Sequence, residues 1–254
     1  MMNVGKQHSL IIFMHIPKTG GLTLRNIIDQ QYSKDAILKF SRDGCKRIPT
    51  NRVDFTKIRC LYGHNRFGIH EQIPISTTYI TMLRDPINRV ISTYYFILAR
   101  PQNRLHQKVK NMTLEEFITS EDKDIIIPVS NHQTRYLSGT KNPNIEKALK
   151  NMEESFKMVG ITEMYNESVF LMKQELGWGN IDYQKRNVSK NRPKHEAIPE
   201  SVIRLIKERN KLDYILYDTA KENLIKGINQ LEETLKKQLS KYVERHSEMG
   251  KERE

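Results

Sequence analysis

Apolar residues along this chain fall into two spacings. Strand-length runs rich in apolar, β-branched or aromatic residues occur at Leu10 to Met14, Ile58 to Tyr62, Thr77 to Leu83 and Phe156 to Ile161, the first of them unbroken, the pattern of strands largely covered by the core. Between them, apolar residues recur at helical spacing, first at Leu22, Leu24, Ile27 and Ile28, then at Val90, Ile91, Tyr94 and Ile97. Further helices are expected from the capping box of Thr113 and Glu116, within 128–139 ending at Gly139, over 144–154, and over 167–176 closed by Gly177 and Trp178. Two more are expected over 199–217 and from Ile228 to about Met249, the last carrying Leu231, Leu235, Leu239 and Val243 on one stripe. Such a helix suits packing on its own domain, with pairing in a homodimer as the alternative. Residues 33–57 and 101–112 are polar without a clear period and read as connections. Alternating strands and helices predict an α/β fold, a central mostly parallel sheet flanked by helices in three layers. A single domain over 1–254 is expected, with 199–254 as its helical C-terminal extension.

The chemistry-bearing residues collect where strands end. After Met14 comes His15-Ile16-Pro17-Lys18-Thr19-Gly20-Gly21, then a helix. Strand, glycine loop and helix together offer backbone N–H groups and the positive end of a helix to a phosphate. The glycines allow close approach, Lys18 adds charge, and the hydroxyls of Thr19 and Thr23 can donate. This is not the G-x-x-x-x-G-K-[ST] loop of nucleoside triphosphatases, because the lysine precedes the glycine pair. The third strand ends at Arg84, and Asp85-Pro86 then starts a helix with aspartate as N-cap and proline at its first position. Ile58 to Tyr62 leads into Gly63-His64. Ligands of parallel sheets sit at the carboxyl ends of the strands, where the loops starting at Ile16, Gly63 and Arg84 converge.

Composition narrows the partners without choosing one. The 254 residues carry 42 Lys and Arg against 30 Asp and Glu, a formal charge of +12, so the surface attracts anions: nucleotides, acidic glycans, nucleic acid or anionic lipid. No apolar run approaches the roughly 18 residues that span a bilayer, and the N-terminus lacks a signal-peptide cleavage pattern. A cytoplasmic protein is the expectation. Cys45 and Cys60 read as ordinary thiols, and no CxxC, CxxH or HExxH spacing suggests a metal site.

Two stretches, HIPKTGG from His15 and LRDPINRVISTYY from Leu83, resemble the sulfotransferases that use 3′-phosphoadenosine 5′-phosphosulfate (PAPS), releasing 3′-phosphoadenosine 5′-phosphate (PAP). The nearest branch is that of the heparan sulfate 2-O-sulfotransferases and their bacterial relatives. The resemblance implies a P-loop-like fold and direct in-line transfer of a sulfuryl group to a hydroxyl, with a carbohydrate as acceptor and no metal. It assigns Lys18, Thr19, Gly20, Gly21, Thr23 and Leu24 to the 5′-phosphosulfate, with Lys18 neutralising charge on the departing bridging oxygen. Arg84, with Ser92 two turns into the next helix, matches the 3′-phosphate site. The basic loop 184–194, through Arg186 and Lys190, looks like a lid over the nucleotide. His64 stands where the family carries its base, with His15 the competing histidine and Glu163 the next candidate. Asn131, Gln133 and Arg135 resemble a family segment, N-x-Q-x-R-x-L, that could contact the acceptor. Animal relatives carry a membrane anchor that this sequence lacks, which points to a bacterial-type enzyme.

Two other readings stand beside this one. A nucleotide-dependent kinase would need magnesium and an apolar strand ending in aspartate, whereas Asp85 follows Arg84. A non-catalytic module for anionic glycan or nucleic acid would rest on charge alone, since no nucleic-acid motif is present.

Overall fold

The computed structural model describes residues 9–40, 48, 50–183 and 198–251. Five strands, β1 (Leu10–Met14), β2 (Ile37–Phe40), β3 (Cys60–Gly63), β4 (Thr77–Leu83) and β5 (Phe156–Ile161), form one sheet in the order β2-β3-β1-β4-β5. Every pairing is parallel. Eleven α-helices accompany them among the described residues: α1 (Gly21–Gln31), α2 (Pro86–Leu98), α3 (His106–Val109), α4 (Leu114–Thr119), α5 (Lys123–Val129), α6 (His132–Ser138), α7 (Ile145–Ser155), α8 (Tyr165–Leu176), α9 (Glu200–Arg209), α10 (Lys211–Asn229) and α11 (Glu233–Lys251).

The central strand shows why its sequence is wholly apolar. Leu10, Ile12 and Met14 point into one core cluster while Ile11 and Phe13 point into another, as the two-residue period of a strand covered on both faces requires. β1 runs between β3 and β4, so the chain leaves it toward one edge and returns to the other. That reversal opens a crevice at the carboxyl ends of the strands.

Local chemistry explains the element ends. The Asp85 side chain accepts from Asn88 N at 2.8 Å with Pro86 at the first helical position, and the capping box of Thr113 and Glu116 is formed in both directions. Differences from expectation have local causes too. β2 lies within the stretch read as a connection. It is a four-residue edge strand with one buried residue, Ile37, so it leaves little apolar signal. In 101–112 one helical turn, α3, forms around buried Val109. The short helix expected within 128–139 is α6, ending at Gly139 as expected, and a further helix, α5, precedes it across Asn131 at φ 43°. The helix expected over 199–217 breaks at Asn210, and α11 begins at Glu233 rather than Ile228.

The C-terminal helices also sit closer to the sheet than an extension would. Leu216, Tyr217, Ala220 and Leu224 of α10 pack in the same cluster as Leu10 and Ile12. On α11, Leu239 and Tyr242 are buried with Phe170 of α8, so its apolar stripe packs on its own domain. A polar interlock fixes α10 against α6. Asp213 is fully buried and accepts from Gln133 N (3.1 Å), Thr134 N (2.8 Å) and Thr134 Oγ1 (2.7 Å). Removing it leaves three buried donors unmatched, so Asp213→Ala should cost about 3 to 5 kcal/mol in urea unfolding. A loss under about 1 kcal/mol would contradict this role.

Candidate active site

At the carboxyl ends of β1, β3 and β4 lies a cavity of about 510 Å³, whose lining includes His15, Lys18, Gly20, Gly21, Thr23, His64, Arg84, Ser92, Phe96 and Arg100. Among the described residues, no aspartate or glutamate lines it.

The loop between β1 and α1 is held by its carbonyls. Arg84 Nη1 donates to Lys18 O (3.1 Å), Thr162 Oγ1 lies 2.9 Å from Thr19 O, and Tyr165 OH donates to Gly20 O (3.3 Å). In a planar trans peptide the N–H points opposite to the C=O, so tying three successive carbonyls outward turns the amide edges the other way. Lys18 (φ 71°) and Gly20 (φ 78°) both adopt the left-handed conformation. For a lysine this strain costs about 1 kcal/mol or more and survives only where the surroundings enforce it. Gly20 is the N-cap of α1 and brings no side-chain cap, which leaves first-turn amides for a ligand. Gly21 must be glycine, because a Cβ there would come within 2.1 Å of the His15 ring.

Arg84 is placed with equal firmness. Gln133 is fully buried, accepts from Arg84 N (2.8 Å) and donates to Arg84 O (2.9 Å). Glu163 Oε1 lies 3.8 Å from Arg84 Nε, while its Oε2 accepts from Asp85 N and Tyr217 OH, each at 3.1 Å. Burial raises the Glu163 pKa, opposed by the Asp85 amide and the Arg84 charge. Ser92 follows on α2 and also lines the cavity. The neighbouring Arg89 is fully buried, donates Nη2 to Pro128 O (2.9 Å) and is lowered to about 10, chiefly by burial.

The two histidines differ in kind. His15 is buried between Phe13 and His64, with ring centroids 5.5 and 4.4 Å away. Burial lowers its pKa to about 3, and His64, Arg25 and Lys18 add smaller repulsions. His64 Nδ1 lies 2.8 Å from the His15 carbonyl. A carbonyl can only accept, so Nδ1 carries the proton and the neutral ring keeps its lone pair on Nε2.

Several expected ligand residues serve other purposes. Leu24 is fully buried in the core beneath α1, its side chain directed away from any ligand. Thr19 is almost wholly buried and its hydroxyl donates to Ile16 O (2.9 Å), bracing the loop. Asn131 accepts from Leu212 N (3.0 Å) and Asp213 N (3.2 Å), capping α10. Gln133 clamps Arg84, and Arg135 donates to Lys141 O from a buried position. None of these three lines the cavity, so the face of α6 expected to meet an acceptor is turned to the interior. Glu163 likewise positions Arg84 and lies outside the lining. Arg186 and Lys190, the expected lid, lie outside the described residues. Reading the residues missed Phe96 and Arg100. Phe96 stands one helical turn past Ser92, and that spacing alone could have found it.

Comparison with known proteins follows the same lines. The family model for the Sulfotransferase family matches residues 2–219. The chain is similar to galactose-3-O-sulfotransferase 3 of Homo sapiens, at 26% identity covering 84% of this chain and 55% of that protein. It is similar to heparan sulfate 2-O-sulfotransferase hst-2 of Caenorhabditis elegans, at 23% identity covering 93% and 86%. A solved mouse sulfotransferase, SULT7A1 complexed with PAP, aligns over 83% of this chain and 88% of that one, at 13% identity and a TM-score of 0.45. The chain spans about half the length of the galactose-3-O-sulfotransferases it matches.

The buried imidazoles set a pH dependence. Burial holds His132, like His15, well below its ordinary value of 6.5. In the unfolded chain both rings protonate near that value, so below it the unfolded state binds more protons and stability falls as pH falls. Each histidine should contribute a slope approaching about 1.4 kcal/mol per pH unit. Urea unfolding at about pH 7, 6 and 5 should show this decline, and His15→Gln should remove roughly half of it. A flat profile over that range would contradict the assignment.

Proposed function

The chain belongs to the sulfotransferase family, and from that premise we propose that it moves a sulfuryl group from PAPS to a carbohydrate hydroxyl by direct in-line transfer. The observation that carries the proposal is the convergence of Lys18, His64, Arg84 and Ser92 on one cavity, lined by no carboxylate among the described residues. That lining suits a polyanionic nucleotide. The loop amides and Lys18 would hold the 5′-phosphosulfate, and the Arg84 guanidinium with the Ser92 hydroxyl would grip the 3′-phosphate. Bound there, PAPS supplies the sulfuryl group.

The chain's own residues supply the rest. The Lys18 ammonium lies in the loop where negative charge develops on the leaving oxygen, the placement that lowers barriers most. His64, its Nδ1–H held by the His15 carbonyl, presents Nε2 as base to the acceptor hydroxyl. His15, lowered to about 3, is too weak a base for that task and serves to orient its neighbour. A saccharide acceptor is supported by the relatives, whose names specify galactose and heparan sulfate. A cytoplasmic location belongs to the same proposal. No helix among the described residues is long and apolar enough to cross a membrane.

Calorimetry with PAP, and separately with ATP and magnesium, tests the donor. PAP should bind without magnesium, about 10- to 100-fold more weakly to Arg84→Ala and about fivefold more weakly to Ser92→Ala. Binding of ATP with magnesium in place of PAP would turn the reading toward a kinase. With PAPS and an accepted saccharide, His64→Ala should lower kcat by about 10² to 10⁴ while PAP affinity stays within about twofold. An unchanged kcat would remove His64 from the reaction.

A further inference from the structure

Ser92, Phe96 and Arg100 follow one another at four-residue steps, carrying one stripe of α2 into the turn beyond it, and all three line the cavity. Ser92 is accounted for by the donor. Phe96 is neither an anchor nor a base, yet it meets the lysine of the transfer loop. Lys18 Nζ lies 4.1 Å from the centroid of the Phe96 ring, and the guanidinium carbon of Arg100 lies 3.9 Å from the same centroid. The ring is only half-buried. Leucine would cover the cavity wall as well if apolar cover were its whole purpose.

The Lys18 side chain leaves a backbone that is already fixed. Its φ of 71° is left-handed and its carbonyl accepts from Arg84 Nη1, so the loop sets the direction of its first bond. The four-carbon stem beyond is flexible, and the ammonium at its end needs a further restraint. Stabilisation by charge works best when the charge is in place before the reaction, because a group that must reorganise loses much of the benefit. A carboxylate could hold the ammonium, but it would also repel the donor's phosphates, and among the described residues none lines the cavity. An aromatic face attracts a cation through its quadrupole while carrying no net charge. It therefore seats the ammonium and leaves its charge to the nucleotide. The ring is steadied in turn by Arg100, whose turn is braced by Asn103 N donating to Arg100 O (2.9 Å) and Leu105 N donating to Asn103 Oδ1 (2.9 Å).

We propose that Phe96 is a positioning residue for the transfer, its π face holding the Lys18 ammonium where the leaving oxygen gathers charge. The proposal rests on the sulfotransferase reading and deepens it. Phe96 acts through Lys18 and not on the reacting atoms. Its loss therefore slows the chemical step and spares the grip on the 3′-phosphate, which belongs to Arg84 and Ser92.

Two measurements test this. In nucleotide-free protein labelled with ¹³C at the lysine Cε, the Lys18 signal, identified by its loss in Lys18→Arg, should lie upfield of the other lysines under the ring current of Phe96. Phe96→Leu should return it to the common lysine position, and Phe96→Tyr should keep it shifted. With PAPS and an accepted saccharide, Phe96→Leu should lower kcat by about 3- to 30-fold, while Phe96→Tyr keeps most of the rate. The KM for PAPS and the affinity for PAP should stay within about threefold of wild type in both. Phenylalanine fluorinated stepwise at position 96 keeps its shape while its face weakens, so kcat should fall with each added fluorine. The inference is overturned by a Lys18 signal without an upfield shift, by an unchanged kcat in Phe96→Leu, or by fluorination without effect. A loss confined to the KM for the saccharide would also overturn it, making the ring an acceptor contact. Failure of wild type to bind PAP would instead strike the underlying reading, on which the lysine signal, read without nucleotide, does not depend.

Discussion

The arrangement of this molecule depends on three successive backbone carbonyls: those of Lys18 and Gly20 accept from Arg84 and Tyr165, and that of Thr19 lies 2.9 Å from the Thr162 hydroxyl. A glycine loop by itself is conformationally loose, and looseness is costly for an anion site because ordering the loop would subtract from binding. Here Arg84, Thr162 and Tyr165 hold the peptide planes from outside, and Lys18 is kept in a left-handed conformation it would not adopt alone. Two of the tethers connect the loop to the neighbouring strands. Arg84 follows β4, while Thr162 follows β5 and also lies 2.8 Å from Leu83 O at the end of β4. The loop is therefore fixed by the sheet as well as by its own sequence.

Arg84 serves two ends at once. It ties the Lys18 carbonyl and lines the cavity, so its own placement matters more than that of any other side chain. Gln133 holds both of its backbone groups, and Gln133 is held in turn by Asp213 through its amide. The chain of contacts runs from α10 through α6 to the end of β4. This explains why α10 is built into the core and is not an appendage. Polar groups buried this far from water are stable only when all their partners are present.

Much of this was legible in the sequence because the informative signals were local. An apolar run followed by lysine, threonine and two glycines gives strand, loop and helix within about 20 residues, and Arg84, Asp85 and Pro86 mark the next strand end as clearly. His64 was singled out by its place after a strand, and it lines the cavity. What could not be read were partnerships across long separations. Nothing near Gln133 says that it meets Arg84, 49 residues away, or that Asn131 caps a helix 81 residues on. A polar turn reads equally well as a ligand face or a buried clamp, and Asn131, Gln133 and Arg135 proved to be the latter. The spacing of Leu24 with Ile27 and Ile28 already placed its side chain on the apolar stripe of α1, where it is buried. β2 escaped notice because an edge strand needs few apolar residues.

The most direct test of the account is a crystal structure of the chain with PAP. The account predicts the 3′-phosphate within hydrogen-bonding distance of Arg84 and Ser92. It also predicts the 5′-phosphate against the amides of the Lys18 to Thr23 loop, with the carbonyls of residues 18–20 still tied as they are now. A nucleotide bound elsewhere, or a loop that must release those carbonyls to admit it, would contradict the claim that the fold builds this site in advance.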